Sequence, residues 1–213
     1  KLDQQSQHWE KNFSNKPEMF GLEQSLSAEK ALNLFKERKI NNIIELGAGL
    51  GRDSIFFAKN NIKIQALDYS PSGIKVIDEK IQKENLSKYI STKLFDIRGK
   101  LPFEDNSIDA CYSHMLYCMA LTSDDLEKLN NEIKRILRSG GINIYTVRHT
   151  NDGDFKNGNH IGEDLYENDG FIVHYFSEEK VNLLLNGFKN ITLEKFEEGT
   201  FPRKLFFVVN EKK

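Results

Sequence analysis

The run Glu45-Leu46-Gly47-Ala48-Gly49-Leu50-Gly51-Arg52 is the segment whose residue types bear most directly on chemistry. Glycines there permit a tight turn and let a ligand approach the backbone without meeting a β-carbon. Asp68 follows roughly twenty residues on, where a carboxylate can accept both hydrogen bonds of a ribose diol. A dinucleotide turn is usually Gly-x-Gly-x-x-Gly, and this chain has Arg52 where the third glycine would fall. Glu45, just before the turn, is poorly suited to a pyrophosphate but well suited to a cation such as the amino group of a zwitterionic methionine moiety. Charge and spacing together favour a sulfonium cofactor over a dinucleotide. The competing structural readings are close packing of helix on strand for the glycines, and capping of the next helix for Asp68.

Such a turn has to be held between a strand and a helix, and the flanking pattern supplies both. Ser27 can cap a helix through about Lys39, since Leu32, Leu34 and Phe35 gather on one side while Glu29, Lys30, Lys36 and Glu37 stay solvated. Asn42 to Leu46 reads as the first strand, Arg52 to Asn60 as a helix, and Lys63 to Leu67 as the second strand. Pro71 suits the first turn of a helix reaching about Glu84. Strands three and four are Ile90 to Phe95 and Ile108 to Ser113, the latter after a polar turn at Glu104-Asp105-Asn106-Ser107. Asp124 to Leu137 is an amphipathic helix with Leu126, Leu129, Ile133 and Leu137 inward, closed by Gly140-Gly141. Ile142 to Val147 is strand five, and Ser177 caps a helix ending near Gly187. Ile191 to Phe196 and Lys204 to Val209 alternate about a turn at Gly199-Thr200-Phe201-Pro202, as an antiparallel hairpin does. Strands alternating with helices define an α/β fold on a largely parallel sheet.

A chain of 213 residues, 38% hydrophobic and 29% charged, has the composition of one globular domain spanning 1–213. The formal net charge is -2 with both signs interspersed, so no basic stripe offers a nucleic-acid surface. The longest apolar stretches are strand-sized, and the start, Lys1-Leu2-Asp3-Gln4-Gln5, lacks the apolar core of a signal peptide or membrane span. A cytoplasmic protein without a membrane partner is expected. The two cysteines, Cys111 and Cys118, lack the pairing of a zinc ribbon and read as reduced, buried small side chains.

Taken together, Ile43-Ile44-Glu45-Leu46-Gly47-Ala48-Gly49-Leu50-Gly51 resembles motif I of class I S-adenosylmethionine-dependent methyltransferases. Ala66-Leu67-Asp68-Tyr69-Ser70 resembles their second motif, and Leu94-Phe95-Asp96-Ile97 the segment whose acidic residue meets the adenine amino group. Leu101-Pro102-Phe103 through Asp109-Ala110 looks like the entry to their fourth strand, and Ile136-Leu137-Arg138-Ser139-Gly140-Gly141 their helix-to-fifth-strand junction. The resemblance spans Ile43 to roughly Val147. It implies a Rossmann-like seven-stranded, mostly parallel sheet with helices on both faces and a C-terminal antiparallel hairpin. It also implies S-adenosylmethionine as cofactor, with the backbone around Gly47 and Gly49 under the methionine, Asp68 at the ribose, and Asp96 and Ile97 at the adenine; Glu45, Ala48 and Tyr69 complete the expected cofactor-binding set. The family's Asn-Pro-Pro-aromatic signature for nucleobase or amide nitrogen is absent after strand four, where Tyr112-Ser113-His114-Met115 stands.

Methyl transfer is an in-line displacement that needs alignment and exclusion of water more than it needs a catalytic triad. A hydroxyl acceptor would benefit from a base. His114, at the end of strand four, is the first candidate, with His149 and His174 also proposed as catalytic. The polar segment from Arg148 to Phe176 is too long for a plain connector and is expected to cover the acceptor, bringing His160, Glu163, Asp164 and Tyr166 with it. His149, His160, Glu163 and His174 lack the spacing of a metal motif, so no metal is expected. Residues 1–24 are expected to fold over the cofactor, with Trp9, Phe13 or Phe20 lining its pocket. The expected activity is methyl transfer to a small-molecule acceptor. The rival classes are an NAD-dependent oxidoreductase and a non-catalytic cofactor-binding regulatory protein.

Overall fold

The structure, a computed structural model, describes residues 2–16, 19–199 and 202–213. One sheet carries five parallel strands: β1 (Asn42–Leu46), β2 (Lys63–Asp68), β3 (Ile90–Leu94), β4 (Ile108–Ser113) and β5 (Leu137–Arg148). An antiparallel pair, β9 (Phe188–Glu198) and β10 (Arg203–Lys212), completes it in the order β3-β2-β1-β4-β5-β10-β9. The expected hairpin is therefore present; Thr200 and Phe201 of its expected turn lie outside the described residues.

Alternation along each strand sends side chains to two separate cores. Ile43, Ile64, Phe207 and Val209 pack on one face against α2 (Leu26–Glu37), α3 (Arg52–Lys59) and α4 (Pro71–Glu84). Ile44, Leu67, Phe206 and Val208 pack on the other against α5 (Ser123–Ile136) and α6 (Glu178–Leu183). Cys111 and Cys118 are free and buried, and burial pushes the Cys118 thiol up to about 11. The chain builds β1, β2 and β3 outward on one side, then crosses to place β4 on the other side of β1. Ligands of open α/β sheets bind in the crevice that this reversal opens at the strands' C-terminal ends.

Local details differ from the sequence reading. Ser25, with extended backbone, is the cap of α2 and accepts the Ala28 N–H at 3.0 Å. Ser27 instead lies inside the first turn, and its hydroxyl is turned into the protein. Gly140 and Gly141 do not close α5; β5 begins directly at Leu137, and the two glycines sit in an irregularity between the pairs Ile108↔Leu137 and Ala110↔Ile142. A β-carbon on Gly141 would stand 2.8 Å from Arg138 O, so the bulge and not a helix end explains it. The segment after β5 is no plain loop. It folds into a second, antiparallel sheet of β6 (Asn159–Gly162), β7 (Leu165–Asn168) and β8 (Phe171–His174), strands too short and polar to register as periodic. The N-terminal α1 (Gln5–Asn15) packs against both α4 and β8.

Candidate functional site

At the reversal between β1 and β4 lies a cavity of about 690 Å³, within the range of small-molecule and cofactor pockets. Its floor is the glycine turn. Gly47 has φ +70° and a β-carbon there would meet Leu116 Cδ1 at 2.8 Å, so only glycine fits. Gly47 and Ala48 donate to Leu67 O at 2.9 and 3.1 Å, and Gly49 N–H donates to Asp68 Oδ2 at 2.8 Å. Asp68 Oδ1 accepts the Ser70 N–H at 2.9 Å, while Ser70 itself caps α4 by accepting from Gly73 N–H. Asp68 thus fixes the turn rather than capping the helix, and as a lining residue of the cavity it keeps acceptor capacity on both oxygens.

Glu45 is 3% exposed and accepts a hydrogen bond from Ser54 Oγ. Burial first, then the nearby Asp53 and Asp68 carboxylates, push its carboxyl well above the ordinary range. Burial also pushes Asp68 up, against the hydrogen bonds from Ser70 and Gly49. Asp96, just past β3, is grasped by Arg98 through Nε and Nη2, and these bonds hold its carboxyl below its usual value. Tyr69 and the buried Ile97 also line the cavity, the latter offering an apolar surface. Glu45 and Asp68, buried carboxyls with no ion pair among the described residues, a turn of small residues and an apolar strip fit an adenosyl sulfonium with an amino-acid tail.

His114 lines the cavity, held at both ring nitrogens. Nδ1 lies 2.8 Å from Ser27 Oγ and 2.9 Å from Thr146 Oγ1, and Nε2 lies 3.2 Å from Glu198 Oε2. Met115 N–H donates to Thr146 Oγ1, which leaves the Thr146 hydroxyl to donate to Nδ1 and the Nε2–H to donate to Glu198. Behind Ser27, the buried Asp53 accepts from Ser25 N–H, Ser25 Oγ and Tyr112 Oη. Burial alone would raise the Glu198 carboxyl; the hydrogen bonds from His114 and Leu26 N–H outweigh it and hold the group charged.

His149 and His174 are not brought to the cavity lining. His149 packs its ring 4.9 Å from Phe206 and accepts the Asn151 N–H. His174 is fully buried, donates from Nδ1 to Leu121 O, and turns Nε2 toward Lys180 Nζ and Glu163. His160 is exposed and bonds Glu163 O, and Arg148 is clasped by Asp152 and Asp154 beneath the Tyr175 ring. Among the described residues no group of three or more His, Cys, Asp or Glu side chains gathers as a metal cluster, and no helix is long and apolar enough to cross a membrane.

The remaining walls come from distant segments. Trp9, Phe13 and Phe20 line the cavity with Phe171 of β8, the Trp9 ring lying 4.9 Å from Phe171 and 5.4 Å from Phe13. Glu10 of α1 accepts from Ser70 Oγ, Ser72 N–H and Ser72 Oγ, while Gln5 exchanges hydrogen bonds with Gly170 O and Ile172 N–H. The carboxylates facing the cavity are Glu45, Asp53, Asp68, Asp96, Asp154, Asp169 and Glu198, and the guanidinium groups are Arg52, Arg98, Arg148 and Arg203. Glu198 and Arg203 carried no signal in the sequence, because each belongs to an alternating hairpin strand that reads only as structure.

A glycine turn at the reversal point, an acid closing β2 and an acid following β3 are arranged as the resemblance to class I S-adenosylmethionine-dependent methyltransferases implies. Over residues 44–145 the chain matches the family described as Methyltransferase domain. It is 36% identical to wheat (Triticum aestivum) phosphoethanolamine N-methyltransferase 1 over 46% of its own length, spanning about a fifth of that protein (20%). Among solved structures it is similar to an S-adenosylmethionine-dependent methyltransferase of Methanosarcina mazei at 17% identity and TM-score 0.71, covering 81% of this chain and 92% of that one. It is also similar to Burkholderia thailandensis 1,6-didemethyltoxoflavin-N1-methyltransferase, bound to its substrate and S-adenosylhomocysteine, at 14% identity and TM-score 0.76, covering 98% and 87% of the respective chains. These structural likenesses concern the fold.

Proposed function

We propose that this chain transfers a methyl group from S-adenosylmethionine to a small-molecule acceptor, both held in the cavity between β1 and β4. The observation that carries the reading is the pairing of the Gly47–Gly49 turn with buried Asp68, which leaves acceptor lone pairs beside backbone that a ligand can touch. The cofactor supplies a methyl carbon activated by positive sulfur. Glu45 and the backbone of Gly47, Ala48 and Gly49 hold the methionine end, Asp68 and Tyr69 the ribose, and Asp96 and Ile97 the adenine. His114 and Glu198 form the wall against which the acceptor is set, with the carboxylate able to take a proton. α1 and the 148–176 segment cover the two ligands and exclude water, which strengthens every electrostatic contact inside. The names of the wheat and Burkholderia relatives, both methyltransferases of small molecules, support an acceptor of that size.

His149 and His174 fit this scheme as supports of the cover rather than as groups touching the acceptor. The test is release of label from methyl-labelled S-adenosylmethionine into a metabolite extract. Labelled product of low molecular mass is expected; cofactor binding without any transfer would favour a regulatory protein, and a thermal shift with NADH alone would favour an oxidoreductase.

A further inference from the structure

Seven carboxylates and four guanidinium groups face the cavity, and most of the positive charge is already committed. Arg148 is held by Asp152 and Asp154, and Arg98 by Asp96 and Asp3. Arg52 stands 3.9 Å from both Asp53 and Glu198, beyond hydrogen-bond reach, and Arg203 lies exposed at the rim. Glu198, half-buried on the acceptor side, is hydrogen-bonded to His114 and to the Leu26 N–H at 3.1 Å, with the Arg52 guanidinium further off at 3.9 Å. The same cavity is lined by the rings of Trp9, Phe13, Phe20 and Phe171. Carboxylates with aromatic rings attract a cationic nitrogen and disfavour an anionic oxygen.

We propose that the acceptor is an amine that enters as an ammonium ion and is recognised by Glu198 together with the aromatic wall, a reading that rests on the methyl transfer proposed above. The ammonium gives one proton to the Glu198 carboxylate, which His114 Nε2–H holds in place. The freed nitrogen lone pair forms the new N–C bond to the methyl carbon as the C–S bond breaks, and that bond's electron pair stays on sulfur as a neutral thioether. The nitrogen then carries the positive charge, so charge moves from sulfur to nitrogen inside a lining that stabilises it throughout. A phenolate or carboxylate acceptor would bring a negative charge among the same carboxylates.

Trp9 is the single tryptophan of the chain and lines the cavity, so its fluorescence reports what enters. The full chain, saturated with S-adenosylhomocysteine, is titrated with choline and with its uncharged carbon analogue, in which a tert-butyl group replaces the trimethylammonium. Choline is expected to bind about tenfold tighter or better, and Glu198→Gln to shrink that preference to about threefold while leaving S-adenosylhomocysteine affinity unchanged. Equal affinities, no response to choline, or a preference untouched by Glu198→Gln would each overturn the amine assignment and leave methyl transfer standing. A chain that binds no S-adenosylhomocysteine fails the parent reading instead, and the choline comparison is then read on the ligand-free protein by the same criteria.

Discussion

The carboxylate of Glu198 lies 3.2 Å from His114 Nε2, joining the end of edge strand β9 to the residue after β4 across the two strands between them. A bond of that span ties the C-terminal hairpin to the cavity wall. Glu198→Gln is expected to lower kcat by about 10²-fold, within the range for losing a positioned proton acceptor. Steady-state kinetics across pH check this, and the expected signature is loss of the acidic limb of the kcat profile with little change in the KM for cofactor.

Asp68→Ala should weaken S-adenosylhomocysteine binding by at least about tenfold, from loss of charge-assisted hydrogen bonds worth about 1.5 to 3 kcal/mol each. Calorimetric titration measures it. Asp68→Asn, which keeps an acceptor oxygen for the Gly49 N–H, should lose less; equal, unaltered affinity in both variants would remove Asp68 from the site.

How much of this was legible depends on the distance over which each group is fixed. Gly47, Asp68 and Asp96 occupy strand ends whose position follows from local pattern, so their placement could be read residue by residue. Glu198 meets His114 only because β9 runs at the sheet's far edge, a fact of topology that spacing does not carry. Ser25 and Ser27 are equally good caps by type, and the choice falls to Ser25 because Asp53, Tyr112 and His114 compete for the two hydroxyls. The β6–β8 sheet escaped notice since its four-residue strands alternate too briefly to show a period.

Removing residues 1–24 should weaken S-adenosylhomocysteine binding by about tenfold, the loss of ~1.4 kcal/mol of contact and enclosure. Glu10→Ala, which frees α1 from Ser70 and Ser72, should give a smaller loss of the same sign, expressed mainly as faster dissociation in stopped-flow chase. Unchanged affinity and dissociation in the truncated chain would show α1 to be a docked helix only.

Burial lowers the pKa of His174 below its usual 6.5, and burial together with Lys195 lowers that of His149. The unfolded chain therefore binds these protons first as pH falls, so both groups contribute stability above pH 6.5 that is lost as pH drops toward their folded values. Raised Glu45 and Asp68 act in the opposite direction, favouring the folded state as they take up protons on acidification. The histidine contribution is read as a difference in thermal melts between pH 8 and pH 5: His174→Asn, or His149→Phe where the former does not fold, should lose less Tm on acidification than the native chain does. The same pH dependence of Tm in the native chain and in these variants would contradict the buried neutral state of the rings.

The most direct measurement is a crystal structure of the chain grown with S-adenosylhomocysteine. The account predicts the methionine carboxylate and amine against the Gly47–Gly49 backbone and Glu45, and both ribose hydroxyls about 2.7 Å from the Asp68 carboxylate. A ligand lodged elsewhere, or an Asp68 that still bonds only to Gly49 and Ser70 with the ligand present, would contradict it.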